Sequence, residues 1–160
     1  MTLRPATAAD FAFIRSLTTD PAYAPFIGDD DEAVLAAFLA DPACRLLIWG
    51  DQAGFAILRE IGNASGRVEL YRLALARISG GEGLRFVQAL TDHAFTELGA
   101  QRVWLDASGE NLRAQRVYEK AGYSREGVLR QHWFRPALGR SVDLVMFGLL
   151  RDEWLAARPA

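Results

Sequence analysis

The stretch Arg67-Val-Glu-Leu-Tyr-Arg-Leu-Ala-Leu75, continued by Ala-Arg-Ile-Ser-Gly-Gly-Glu-Gly-Leu84, decides the fold. It reads as a strand that enters a glycine-rich turn and then opens a helix. Val68 and Leu70 occupy even positions, whereas Leu73 and Leu75 occupy odd ones. Side chains alternate strictly along a strand, so this change of phase predicts one extra residue, a bulge, near Tyr71 and Arg72. Gly80, Gly81 and Gly83 then let the backbone turn tightly and approach a ligand with no Cβ in the way. From there Leu84, Val87, Leu90, Ala94, Phe95 and Leu98 fall at helical spacing. The free N–H groups and positive dipole end of that helix face the turn, which makes it a site for an anionic phosphate.

A flexible turn is the plain alternative for Gly80-Gly81-Glu82-Gly83. Two better-known phosphate loops fit poorly. The dinucleotide fingerprint G-x-G-x-x-G needs a small third residue where Phe86 stands, and no early strand-turn-helix opens the chain. A P-loop needs Gly-Lys-Ser/Thr, and this turn has no lysine.

With 160 residues, 51% of them hydrophobic, residues 1–160 suit one domain with a substantial core. A net charge of −2 leaves no electrostatic footprint for nucleic acid. Cys44 is the single cysteine, which excludes an internal disulfide and a multi-cysteine metal site. It heads an apolar run and reads as a buried thiol in a reducing compartment. No signal-peptide pattern appears, and no apolar run is long enough to span a bilayer, so the expectation is a soluble cytoplasmic domain.

Taken in order, Thr2-Leu-Arg-Pro5 is extended, and Thr7-Ala-Ala-Asp10 opens a helix with Asp in place of the usual capping-box Glu or Gln. Phe11, Ile14 and Leu17 give its stripe, which ends before Pro21. Asp29-Asp-Asp-Glu32 leads a second helix with Val34, Leu35, Phe38 and Leu39 inward. Those four acids suit the helix dipole; the alternative is an anionic rim that attracts a cationic amine. Arg45–Trp49 and Ala53–Leu58 form a hairpin. Beyond the long helix, capped by Gly99, come the strand Arg102–Ala107 and a short helix stopped at Gly122. Two strands follow, around Tyr123–Trp133 and Val142–Leu150. The fold class is α/β: one domain with a mixed, mostly antiparallel sheet, a bulged central strand and flanking helices.

Three segments in this order resemble the GNAT N-acetyltransferase family, the acetyl-CoA-dependent fold. Leu3-Arg-Pro-Ala-Thr-Ala-Ala-Asp10 is similar to its first strand and helix. Ile78-Ser-Gly-Gly-Glu-Gly83 matches the glycines of its R/Q-x-x-G-x-G pyrophosphate loop. Asn111-Leu-Arg-Ala-Gln-Arg-Val-Tyr-Glu-Lys-Ala-Gly-Tyr123 resembles its N-x-x-A-x-x-x-Y-x-x-x-G-F/Y segment. The ending, Gly127-Val-Leu-Arg130 with Asp143 and Leu150-Arg-Asp-Glu-Trp154, is similar to the ribosomal-protein N-terminal acetyltransferase branch. Two departures stand in the loop. Ile78 replaces the usual Arg or Gln, and Glu82 adds a negative charge that favours the helix dipole when it faces solvent. Arg77 or Arg85 would supply a compensating cation.

The resemblance implies roles. Leu73, Ala74 and Leu75 would pair with the pantetheine arm and polarise the thioester carbonyl through a backbone N–H. Ser79, Gly80, Gly81, Glu82, Gly83 and Leu84 would cradle the pyrophosphate. Asn111 would hold the cofactor arm, and Tyr118 would protonate the departing thiolate. An ammonium acceptor must also lose a proton. Glu69, on the central strand just before the bulge, is the first candidate base; its plain alternative is an exposed strand carboxylate. His132 is the second, and His93 reads as structural. Trp49, Trp104 and Trp154 read as core or interface residues, as does Trp133, with an acceptor pocket as its alternative. No Ser-His-Asp constellation or paired histidine ligands point to a hydrolase or a metal site.

The implied activity is transfer of acetyl from acetyl-CoA to a primary amine, such as a protein or peptide N-terminus. A small-molecule amine, polyamine or amino sugar, is the alternative within the enzyme class, and a non-catalytic acyl-CoA-binding regulatory domain the alternative outside it. The partners expected are acetyl-CoA and an amine, with no nucleic acid and no membrane. A homodimer stays open.

Overall fold

A computed structural model describes residues 1–159. The chain begins with strand β1 (Leu3–Pro5), a 3-10 turn (Ala8–Asp10), helices α1 (Phe11–Thr18) and α2 (Glu32–Ala40), then β2 (Arg45–Trp49), β3 (Gly54–Arg59) and β4 (Arg67–Leu75). It continues through α3 (Glu82–Thr96), β5 (Arg102–Ser108), α4 (Leu112–Lys120), β6 (Ser124–Arg135), β7 (Arg140–Leu150) and α5 (Arg151–Ala156). The seven strands form one sheet in the order β1-β2-β3-β4-β5-β7-β6. Every neighbouring pair is antiparallel except β4 and β5, which are joined across α3 and run parallel.

The expected bulge lies at Tyr71. Ile57 pairs with Arg72, yet Leu58 pairs with Leu70, so Tyr71 has no partner on β3. Its ring lies against two guanidinium groups, Arg59 at 3.4 Å and Arg72 at 4.2 Å from the centroid, and meets Phe38 edge-on at 5.8 Å. Arg72 also donates to Asp30 at 2.8 Å. That approach depends on Gly28, where an added Cβ would fall 2.5 Å from the Arg72 guanidinium.

The sheet separates two apolar layers. Phe86, Leu90 and Phe95 of α3, Tyr118 of α4 and Trp154 of α5 pack with Val103 and Leu105 of β5 on one face. Phe11, Ile14 and Leu17 of α1 and Leu35 of α2 cover Ile48, Phe55 and Ile57 on the other. Phe86, Leu90 and Phe95 are fully buried, each removing apolar surface from water for roughly 1.5–3 kcal/mol.

Three local expectations are revised. On α2 only Leu35 and Phe38 turn inward, while Val34 and Leu39 are exposed, because one short helix lying on a sheet buries a single narrow stripe. The hairpin begins its second strand at Gly54, with Ala53 left in the turn. A final helix, α5, follows β7; it stacks Trp154 on Phe95 at 4.9 Å and donates from Trp154 Nε1 to Asp92 at 2.7 Å. Cys44 is buried as expected. At the N-terminus, Asp10 accepts from the Thr7 N–H at 2.9 Å and from both ends of the Arg4 guanidinium, and Arg4 holds its carboxyl well below the usual carboxylate range.

Candidate active site

β4 and β5 pair over three rungs only: Arg67 with Arg102, Val68 with Val103 and Glu69 with Trp104. Past Glu69 the bulge turns β4 aside and the strands part. Ala76 donates its N–H to the Ala53 carbonyl at 2.8 Å. Hydrogen-bonding direction alternates along a strand, so Ala74 also faces β3. Leu73 and Leu75 therefore direct their N–H and C=O groups into the gap. In agreement, the Leu75 carbonyl accepts the Tyr23 hydroxyl at 2.5 Å. A cavity of about 610 Å³ occupies the opening, reaching Gly83 and Tyr118 on the α3–α4 face and Tyr23, Asp106 and Trp133 on the other.

On the first face, Gly81 caps α3 with φ +77°, and Gly80 before it has φ +57°. Such left-handed conformations favour glycine, which explains the run of glycines. The N–H groups of Glu82 and Leu84 bond the carbonyls of Ser79 and Gly81 at 3.0 and 3.1 Å, whereas those of Gly81 and Gly83 have no such partner. Two open donors at a helix start suit an anion. The Glu82 carboxylate is occupied: it accepts from Trp49 Nε1 at 2.5 Å and from Arg85 at 2.7 Å, contacts that lower its pKa. Arg85 is thereby committed to Glu82, while Arg77 makes no ion pair among the described residues. Ile78 borders the cavity.

Asn111 does two things at once. Its Oδ1 caps α4 by accepting the Ala114 N–H at 3.1 Å, and the residue lines the cavity with its amide nitrogen unengaged. Tyr118 stands on α4, seven residues on, packed edge-on against Phe147 at 5.5 Å. Its hydroxyl has no hydrogen-bond partner among the described residues, and burial, with the nearby charge of Asp106, pushes its pKa up.

The structure does not bring Glu69 to the cavity. Glu69 sits on the last closed rung of the β4–β5 ladder, below the point where the strands part, and its carboxylate meets Arg59 at 2.6 Å. Burial raises its pKa against the pull of Arg59. The carboxylate that does line the opening is Asp106, two residues beyond Trp104 on β5. The Asp106 carboxylate has no hydrogen bond or ion pair among the described residues; burial pushes its pKa up, opposed by the charges of Arg72, Arg59 and His132. His132 is exposed on a wide bulge of β6, where Gln131 takes φ +46° and donates its N–H to Asp143 at 2.7 Å. Sequence reasoning passed over Asp106 as the polar phase of an alternating strand. The available signal was an aspartate in the middle of a strand, a residue type depleted there.

Three of the four acids at the start of α2 are engaged within the fold, and Glu32 lies exposed in the first turn of the helix. Asp31 caps α2 by accepting the Val34 N–H, Asp30 holds Arg72, and Asp29 holds Arg15 and Thr18.

Residues 1–124 match the family model of the acetyltransferase (GNAT) domain. The chain is 32% identical over 109 residues to the spermidine N(1)-acetyltransferase of Escherichia coli K12, covering 67% of this chain and 57% of that one. It is 37% identical over 54 residues to the aminoglycoside N(6')-acetyltransferase type 1 of Klebsiella pneumoniae, covering 34% and 27%. The match spans little more than half the length of the first of these relatives. The fold is shared with the spermidine N-acetyltransferase from Vibrio cholerae solved in complex with CoA and spermine, at a TM-score of 0.84, 23% identity, and 96% and 97% coverage.

Proposed function

The chain belongs to the GNAT acetyltransferase family, and from that premise we propose that it transfers an acetyl group from acetyl-CoA to a primary amine of a small molecule. The observation that carries this reading is the parted β4–β5 ladder, with an unpartnered phenol on one side and an unpartnered carboxylate on the other. The names of the relatives, spermidine and aminoglycoside acetyltransferases, support a small acceptor over a peptide N-terminus.

The residues present fit acetyl-CoA. Open amides at Gly81 and Gly83 would hold its pyrophosphate, with Ser79, Gly80, Glu82 and Leu84 shaping that turn. The gap-facing N–H and C=O of Leu73 and the N–H of Leu75 would pair with its extended amide-bearing arm, and the free amide of Asn111 would reach the same arm. Acetyl-CoA supplies the activated acetyl group as a thioester.

The amine approaches from the opposite face, where Asp106 takes one proton from the ammonium. Its raised pKa suits it to that task better than an ordinary carboxylate, because a stronger base accepts a proton more readily near neutrality. The second proton replaces the one that Tyr118 gives to the departing sulfur. Tyr118 stays protonated because burial raises its pKa, so its O–H is available to donate there. An N–H of β4 facing the gap stabilises the carbonyl oxygen as it gains charge.

Release of CoA thiol from acetyl-CoA with a small amine tests the reading. Tyr118→Phe is expected to lower kcat by about 10²–10⁴-fold with little change in CoA affinity. A wild-type kcat in that variant would remove Tyr118 from the chemistry.

A further inference from the structure

The loop of residues 19–31, between α1 and α2, is fastened from two sides. Towards β4, the Tyr23 hydroxyl donates to the Leu75 carbonyl and Asp30 accepts from Arg72. From the other side, Arg135 at the end of β6 donates through one terminal nitrogen to the carbonyls of Ala24 at 2.6 Å and Ile27 at 2.7 Å. Its guanidinium lies over the Trp133 ring, 3.9 Å from the centroid. The residue is only 8% exposed, no carboxylate pairs with it, and its Nε is the one buried side-chain polar atom without a hydrogen bond among the described residues.

A buried cation without a counter-ion weighs against folding, and an apolar side chain would fill the same place at less cost. What an apolar residue cannot do is catch two carbonyls more than a hundred residues away while lying on Trp133. Phe26, Ile27 and Trp133 all line the cavity on the side of Asp106.

We propose that Arg135 is a positioning residue for the acceptor: by tying Ala24 and Ile27 to the β6–β7 hairpin, it sets the wall that Phe26, Ile27 and Trp133 present to the amine. The role rests on the acetyltransferase reading, and it predicts that amine binding depends on Arg135 while acetyl-CoA binding does not. The bonds of Tyr23 and Asp30 to β4, which bracket Ala24 and Ile27 in sequence, do not involve Arg135.

Two variants test this. Arg135→Met keeps the stem and removes the donors; Arg135→Lys keeps a cationic donor without the planar fork. Calorimetry gives the acetyl-CoA Kd, steady-state kinetics at saturating acetyl-CoA give kcat and the amine KM, and deuterium exchange reads the amides of residues 22–28. In Arg135→Met the amine KM is expected to rise about tenfold or more and loop exchange to accelerate, with the acetyl-CoA Kd held within about twofold. Arg135→Lys is expected to recover part of both losses. Unchanged loop exchange, or a Kd and KM that worsen together, would overturn the proposal. If Arg135→Met does not fold, Arg135→Lys carries the same comparison with smaller changes. A wild-type protein that turns over no amine would sink the acetyltransferase reading instead, and loop exchange and the Kd would still judge Arg135.

Discussion

Tyr118 and Tyr123 are 6% and 4% exposed and pack in the same apolar layer, yet only Tyr123 uses its hydroxyl within the protein, in a 2.7 Å bond with Thr91. The same contrast separates the two carboxylates on the opposite face. Glu69 is ion-paired below the opening, whereas Asp106 is unpaired at its edge. Asp106→Asn is expected to lower kcat by about 10²–10⁴-fold, with part of the loss regained as pH rises and more amine arrives neutral. In the wild type, the acid limb of kcat/KM should lie above the ordinary carboxylate range, following the raised pKa of Asp106. An unchanged pH profile in Asp106→Asn, with that limb lost in Glu69→Gln, would return the role to Glu69. Stability gives an independent readout. A carboxyl whose pKa is raised in the folded state binds its proton more tightly there than in the unfolded chain. Its contribution therefore declines as pH rises between the two pKa values, and the ionised group weighs against folding above them. Asp106→Asn should raise Tm at neutral pH while it lowers activity.

The element that organises the site is β4 with the turn into α3, and most of it was legible. The change of apolar phase between Leu70 and Leu73 placed the bulge near Tyr71 and Arg72, where Tyr71 is the unpaired residue, because period-two alternation leaves no other way to put Val68 and Leu70 in the same layer as Leu73 and Leu75. Glycines before a helical stripe likewise marked the turn with open amides. What pairing does across a parallel ladder was not legible. Nothing local in Arg67–Glu69 states that β5 follows β4 for three rungs and then leaves, so Glu69 and Asp106 could not be sorted by their distance from the gap. The contact from Trp49 to Glu82 was hidden for the same reason, since it joins the end of β2 to the start of α3. The turn itself is testable through Gly83. Its φ is not left-handed, and an added Cβ would meet only Val117 at 3.7 Å, so the fold accommodates a side chain there. Gly83→Val should weaken acetyl-CoA binding by about tenfold or more, by standing over the open amides, with Tm nearly unchanged. Calorimetry returning the wild-type Kd would remove the anion from this turn.

At the scale of the molecule, the sheet is a partition with one breach. The α3–α4 layer presents a helix start and the gap-facing backbone of β4, while the α1–α2 layer presents a carboxylate within aromatic walls. Two reactants can therefore meet through the sheet without crossing each other's path, which suits direct transfer. Charge distribution separates the faces further. The acids of residues 29–31 are taken up by capping and ion pairs, leaving Asp106 as the unpaired carboxylate of the cavity. This long-range arrangement was the least legible part of the chain. Arg135 reaches Ala24 across 111 positions, and no periodicity or motif in either segment announces the contact. The central claim, acetyl transfer to a small amine, is tested most directly by measuring kcat/KM for CoA release at saturating acetyl-CoA with small polyamines and aminoglycosides beside short peptides bearing free N-termini. At least one small amine should exceed every peptide by about tenfold or more, and that turnover should fall in Tyr118→Phe. A peptide turned over best, or acetyl-CoA bound with no thiol released for any amine, would contradict the account.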